Sequence, residues 1–233
     1  MGGPSFAPPA GTSMSSSELD IGHYDQDDAL CAEARESGRV GVSVYRVAEP
    51  LVVLGRGSKP HLELDVEACL ADGLPVVRRR GGGCSVVLDA GNVIVSVAAP
   101  MSGFGDNKRY IEGISDWLIG GLSALGYEGV CRRGVSDIVW RERKVSGSCL
   151  HRAKDLLYYS ASLLVDADLG LLERYLVHPP REPEYREGRR HGDFVGSLRC
   201  GRFPSARALE AALAEALSRP ALEAIVCASD ERC

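Results

Sequence analysis

From residue 39 to residue 166 the chain carries short, closely spaced apolar runs, and this spacing limits the fold more than any other feature. The run "RVGVSVYRV" alternates Val40, Val42 and Val44 with Gly41, Ser43 and Tyr45, the period of a strand with one buried face. "PLVVLGRG" is a second short strand ending at Gly55, "LPVVRRR" a third and "NVIVSVAAP" a fourth. "SDIVWRERKVSGSCL" reads as a hairpin turning at Arg141 to Arg143, and "DLLYYSASLLVD" as a further strand. Strands this closely spaced, few of them joined by helices, predict an α+β fold: a mixed, largely antiparallel sheet with helices packed on one side.

Helical patterns lie both within this region and on either side of it. "DQDDALCAEARESG" ends near Gly38, and "DVEACLADG" is capped by Asp65 and stopped by Gly73. In "NKRYIEGISDWLIGGLSALG", Ile111, Ile114, Leu118, Leu122 and Leu125 fall on one helical stripe. "LGLLERYLVH" is a helix, "PPREPEYREGRRHGD" a long polar loop, and the amphipathic "SARALEAALAEALS" closes the chain. Residues 1–17 are rich in Gly, Pro and Ser and are expected to be disordered, leaving residues 18–233 as a single domain with no separate C-terminal accessory domain.

Charge narrows the function. The net charge of -5 argues against a general nucleic-acid binder, so any anion site must be a local basic patch on an acidic body. No run is long and apolar enough to span a bilayer, and no signal peptide is read, so a cytoplasmic protein without a membrane partner is expected. Cysteines at 31, 69, 84, 131, 149, 200, 227 and 233 form no C-x-x-C pair and are read as reduced thiols, most of them small core residues.

The densest local charge is "VVRRRGGGCSVVLDAGN", residues 76–92, where three arginines run into three glycines. Glycine lets backbone N–H groups approach an anion, and arginine offers a planar fork of donors for phosphate or carboxylate. The stretch is neither a Walker A loop nor a G-x-G-x-x-G fingerprint. A solvated arginine run before a flexible turn remains the plain alternative. Further on, Lys144 enters the small-residue segment Val145-Ser146-Gly147-Ser148, which leaves room for a ligand beside the ammonium and offers hydroxyls to it. A solvated surface lysine is the alternative there.

Taken together, "RRGGGCSVVLDAGN" and "SDIVWRERKVSGSCLHRAKD" resemble the lipoate-protein ligase family, relatives of biotin ligases and octanoyltransferases. The family's first motif, Arg-Arg-Ser/Thr-Gly-Gly-Gly-Ala-Val-aromatic-His-Asp-x-Gly-Asn, lies without gaps over residues 79–92. Its second, Asn-Asp followed by Arg-Lys-Val/Ile-Ser-Gly-Ser-Ala, lies over Ser136 and Asp137 and over residues 143–149. The likeness covers roughly residues 20–200 and departs at Cys84 (a family glycine), Leu88 (a histidine), Ser136 (an asparagine) and Tyr159-Ser160-Ala161 (His-His-Gly).

The resemblance implies the fold of the biotin/lipoate ligase catalytic domain. It also implies an enzyme that activates lipoate or octanoate with ATP and Mg2+ to an acyl-adenylate, then passes the acyl group to a lysine of a lipoyl carrier domain. Lys144 matches the invariant catalytic lysine. Arg79, Gly82, Gly83, Cys84, Ser85, Val86, Val87, Asp137 and Lys144 match nucleotide-binding positions, and Arg79, Lys144, Ser146 and Gly147 are expected at the acyl group. Asp137 is a candidate magnesium contact. The short C-terminal stretch after the family-like region raises the expectation of an accessory domain supplied as a separate subunit.

Two other readings stay open. One is an ATP-independent octanoyl or lipoyl transferase carrying the acyl group on a cysteine; Cys131, beside Arg132 and Arg133, is the candidate nucleophile. The other is a non-catalytic relative that binds a carrier or a nucleotide. "REPEYREGRRHGD" is read as a solvated loop, with closure over an adenylate or contact with the carrier as its functional alternative.

Overall fold

A computed structural model describes residues 19–101, 107–199 and 203–227; the tail expected at residues 1–17 lies outside them. In chain order the strands are β1 (Ile21–His23), β2 (Gly41–Tyr45), β3 (Leu51–Leu54), β4 (Val76–Arg78), β5 (Val86–Leu88), β6 (Asn92–Pro100), β7 (Cys131–Arg133), β8 (Asp137–Trp140), β9 (Arg143–Arg152) and β10 (Leu156–Leu164). The helices are α1 (Asp28–Ser37), α2 (Pro60–Glu63), α3 (Val66–Ala71), α4 (Asn107–Ala124), α5 (Leu169–Tyr175), α6 (His191–Phe194), α7 (Ala206–Ala216) and α8 (Arg219–Cys227).

The strands form two sheets. Six are wholly antiparallel in the order β2-β6-β10-β9-β8-β7. Four form a mixed sheet in the order β1-β4-β3-β5, with β1-β4 and β4-β3 parallel and β3-β5 antiparallel. Antiparallel pairing therefore predominates, and the α+β expectation holds.

Strand β6 shows why one sheet with helices on one side was too simple. Its residues alternate between two covered faces. Val93, Val95, Val97 and Ala99 join the core formed with α4, α7 and α8. Ala98 joins Cys31, Ala34, Leu156 and Tyr158 under α1, and Ile94 packs with Tyr24, Val53 and Leu88 toward the second sheet. A central strand with both faces covered becomes a near-continuous apolar run. "NVIVSVAAP" is such a run, and its apolar pattern does not say which element covers which face. Likewise, β2 has Val40, Val42 and Val44 packed against the α4 core while Tyr45 reaches the other side.

On α4 the buried face is Tyr110, Ile114, Ser115, Trp117, Leu118, Gly121 and Leu122. The expected stripe is centred correctly, with Ile111 and Leu125 at its margins. Ile114, Leu118 and Leu122 are fully buried, each stabilising the fold by about 1.5–3 kcal/mol.

The expected last helix is α7, but the chain continues into α8, whose Leu222 and Val226 complete the same core. Pro220 in the first turn of α8 is compatible with a helix start. The β8-β9 hairpin turns where expected, with both Arg141 and Glu142 at positive φ (50° and 62°), as a two-residue type I′ turn requires. No helix of the described residues is long and apolar enough to cross a membrane.

Candidate active site: an arginine–glycine loop against Lys144

The arginine run after β4 fastens the backbone around it. Arg78 Nη1 donates to the carbonyls of Gly55 at 2.8 Å and Ser58 at 2.9 Å. Arg79 Nη2 donates to the carbonyls of Gly82 at 2.7 Å and Cys84 at 2.8 Å, and its Nη1 to Val53 at 3.1 Å. Arg80 pairs with Asp28 at 2.7 Å. A glycine-rich loop has carbonyls that no regular element satisfies, and guanidinium groups supply the donors.

The other end of the loop is held by Glu63 at the end of α2. Its buried Oε2 accepts from the Ser85 backbone N–H at 2.6 Å, the Ser85 hydroxyl at 2.7 Å and the Ser58 hydroxyl at 2.9 Å.

Across from the loop stands the β8-β9 hairpin. Lys144 Nζ lies 2.7 Å from Asp137 Oδ1, with side chains 26% and 12% exposed. The register brings them together around an irregularity between Ile138 and Val139. Gly147 gives the ammonium its room, since a Cβ there would stand 3.1 Å from Nζ. The loop and the hairpin meet at Gly81, which packs so closely on Cys149 of β9 that a side chain would collide with the thiol. The Cys84 thiol is pushed up by burial and by Glu63, while Lys144 and Arg79 pull it back, so these groups share one electrostatic environment.

The polar segment after α5 keeps much of its length exposed, as a solvated loop would, yet it and the residues that follow it also touch this junction. Cys84 Sγ points to the Arg181 carbonyl at 3.7 Å, Val195 forms a bridge to Lys144, and the Gly196 N–H donates to the Lys144 carbonyl at 2.8 Å. The Tyr185 hydroxyl donates to Asp137 Oδ2 at 2.7 Å, and burial together with Asp137 pushes that phenol above its ordinary range. Tyr185→Phe should weaken the cover by about 1 kcal/mol, seen as faster amide exchange across residues 183–196.

Burial, reinforced by Arg186, His178 and Lys144, pushes His191 from 6.5 down to about 4. Its folded-state pKa lies below its unfolded value, so the unfolded chain binds the proton first and stability falls as pH drops from 6.5 toward 4. A thermal midpoint that falls over that window in the native chain, and falls less in His191→Gln, is the expected result.

The sequence-predicted residues separate into groups. Arg79, Gly82, Gly83, Cys84 and Ser85 form the loop; Lys144, Asp137 and Gly147 form the facing cluster. Val86 and Val87 lie in β5, paired with Val53 and Val52 of β3. Ser146 is buried in β9, and Ser148 exchanges hydrogen bonds with the Ser136 backbone and hydroxyl. Cys131 lies exposed on the outermost strand, and its neighbours are engaged elsewhere, Arg132 by Glu112 and Asp116 and Arg133 by Glu142.

Asp137, the candidate magnesium contact, is engaged within the protein. Both of its oxygens are occupied by Lys144 and Tyr185, and no group of three metal-ligating side chains occurs among the described residues.

Sequence reading missed Glu63, whose single acidic letter in "HLELD" carries no signal of burial. It also missed Tyr185 as the partner of Asp137, because a contact over 48 residues leaves no local pattern.

Residues 23–218 match the lipoyl protein ligase A/B catalytic domain family. The chain belongs to that family. It is 32% identical over 152 residues to a lipoate–protein ligase of Streptococcus pyogenes serotype M5 (strain Manfredo), an alignment covering 65% of this chain and 44% of that relative. The match thus spans less than half of the relative's length. A bi-partite lipoate protein ligase of Thermoplasma acidophilum, from a structural study that includes its E2 lipoyl domain, has the same fold: TM-score 0.67, 18% identity, 92% of this chain and 91% of that one. A lipoate-protein ligase A structure bound with ATP is similar at TM-score 0.65 and 21% identity over 88% and 87% of the two chains.

In this member of the lipoyl ligase family the departing positions are filled by packing. Leu88 is buried beside Tyr24 and Ile94, Tyr159 is buried with its hydroxyl 3.1 Å from that of Ser115, and Ser160 receives a hydrogen bond from Ser96 at 3.0 Å.

Proposed function

We propose that this chain is a lipoate-protein ligase. It uses ATP to convert lipoate or octanoate to an acyl-adenylate and transfers the acyl group to a lysine of a lipoyl carrier domain. One observation carries the reading: the Lys144 ammonium, 2.7 Å from Asp137 and beside Gly147, acts on the Cys84 thiol of the arginine–glycine loop, which packs against the same strand at Cys149. Family membership and a structural neighbour solved with ATP add support.

The chemistry asks for such a cation. A carboxylate oxygen attacks the α-phosphorus and pyrophosphate leaves, so two anions must be held together. Lys144 presents a compact charge to the oxygens that gain charge in that step. Asp137 orients the ammonium, and Tyr185 fixes Asp137 from the other side. In the second step the carrier amine attacks the acyl carbonyl and AMP leaves, with the same ammonium beside the carbonyl oxygen. The loop 79–85, held by Arg79 and Glu63, offers backbone N–H groups along the nucleotide. Magnesium enters with the ATP phosphates and not as a resident ion.

The bi-partite neighbour favours an accessory subunit as a further part of this reading. A cytoplasmic location belongs to it as well.

The test is to incubate the chain with a lipoyl domain and either lipoate, ATP and magnesium, or octanoyl carrier protein without ATP, and to weigh the domain. A mass gain in the first mixture is expected. Acylation only in the second rejects the ligase and points to the transferase with Cys131 as nucleophile. No acylation in either, unchanged on adding an accessory domain, leaves a non-catalytic binding protein.

A further inference from the structure

Arg186 is a buried cation with an unused donor. It is 5% exposed. Its Nε donates to the Arg189 carbonyl at 3.0 Å and lies 3.4 Å from Glu182 Oε2, an oxygen that His178 also claims at 2.9 Å. Its guanidinium stacks over Phe194, 4.9 Å from the ring centre, with Arg189 also at that ring at 5.3 Å. These contacts hold the side chain in place, yet Nη2 is buried without a hydrogen-bond partner.

Two other cations of the site are engaged within the protein. Arg79 serves three backbone carbonyls, and Lys144 serves Asp137. Asp137 is engaged by Lys144 at one oxygen and by Tyr185, the residue before Arg186, at the other. Arg186 directly follows Tyr185, whose hydroxyl bonds Asp137 of the hairpin, and Asp137 and Cys84 both act electrostatically on its guanidinium. A desolvated guanidinium with an idle N–H is strongly unfavourable unless an anion completes it. Its planar fork matches phosphate oxygens better than an ammonium does.

We propose that Arg186 is a further substrate-binding residue, whose Nη2 donates to a phosphate oxygen of the bound nucleotide from the cover side of the site. The proposal rests on the ligase reading and adds to it a cation outside both sequence motifs. Lys144 then stands between phosphate and acyl group, with Arg186 on the phosphate alone.

Calorimetric titration of the native chain, Arg186→Lys and Arg186→Gln with AMP, adenosine and octanoate tests this. Both variants should bind AMP about 10- to 100-fold more weakly, the value of one charge-assisted hydrogen bond, with adenosine and octanoate binding unchanged. Unchanged AMP affinity overturns the proposal while leaving the ligase reading intact. Equal losses for AMP and adenosine also overturn it, since they mean the side chain only shapes the cover. A loss for octanoate in place of AMP does the same. A native chain that binds no AMP and acylates without ATP overturns both readings. The native chain supplies a second measurement that needs no variant: AMP should slow amide exchange across residues 184–189 more than adenosine does, and equal protection sinks the proposal.

Discussion

Lys144→Ala should lower acyl transfer by about 100- to 1000-fold, the loss that follows removal of one preorganised donor at a developing charge. Most of the loss should appear in the single-turnover rate of adenylate formation, and binding of the apolar acid should change little. The fold should survive, because Asp137 keeps its hydrogen bond from Tyr185 and the side chain is partly exposed. Lys144→Arg should not rescue the rate. Gly147 is close enough to admit a compact ammonium, and the guanidinium fork is larger and differently shaped. Quenched-flow measurement of pyrophosphate release separates chemistry from binding. A Lys144→Ala protein that forms adenylate at the native rate would falsify the assigned role.

Glu63→Ala should destabilise the protein by about 3 kcal/mol or more, although the residue lies outside both motifs. A single carboxylate oxygen accepts from the Ser85 N–H and from the hydroxyls of Ser58 and Ser85, and it is buried. Truncation leaves three buried donors without that acceptor. Glu63→Gln keeps an acceptor and should cost about 1 kcal/mol, because a neutral hydrogen bond replaces a charge-assisted one. Urea unfolding with matched slopes gives both values. Equal and small losses in the two variants would show that the loop is held mainly by Arg79 and Arg78. Activity should fall in the order of stability, since Ser85 and Cys84 share the anchored segment.

These two residues mark how far the sequence could be read. Lys144 is identified by a motif, and the hairpin that carries it is visible in the apolar pattern of "SDIVWRERKVSGSCL". Glu63 is not, because its importance lies in donors 5 and 22 residues away that the chain brings to it only after folding. The arginine run is an intermediate case. Its charge beside glycine suggests an anion cradle, whereas in the structure Arg78 and Arg79 spend their donors on loop carbonyls and Arg80 on Asp28. Composition reveals that donors are abundant, but their acceptors are set by the backbone path.

The elements follow the same division. Long patterns such as α4 and β6 are legible because local periodicity and burial agree. The split into two sheets, the placing of α1 opposite α4 and the fold of residues 177–196 over Lys144 are not, because each depends on contacts between segments far apart in the chain.

By itself, then, the sequence determined the α+β class, the two motifs and the lysine that pairs with them, since these are carried by local periodicity and ordered residue patterns. The tertiary structure alone decided that Asp137 and Tyr185 flank that lysine, that Glu63 anchors the loop, and that Arg186 is buried with a donor to spare. Hydrogen-bond partners and desolvation are properties of proximity in space, which no local pattern along the chain encodes.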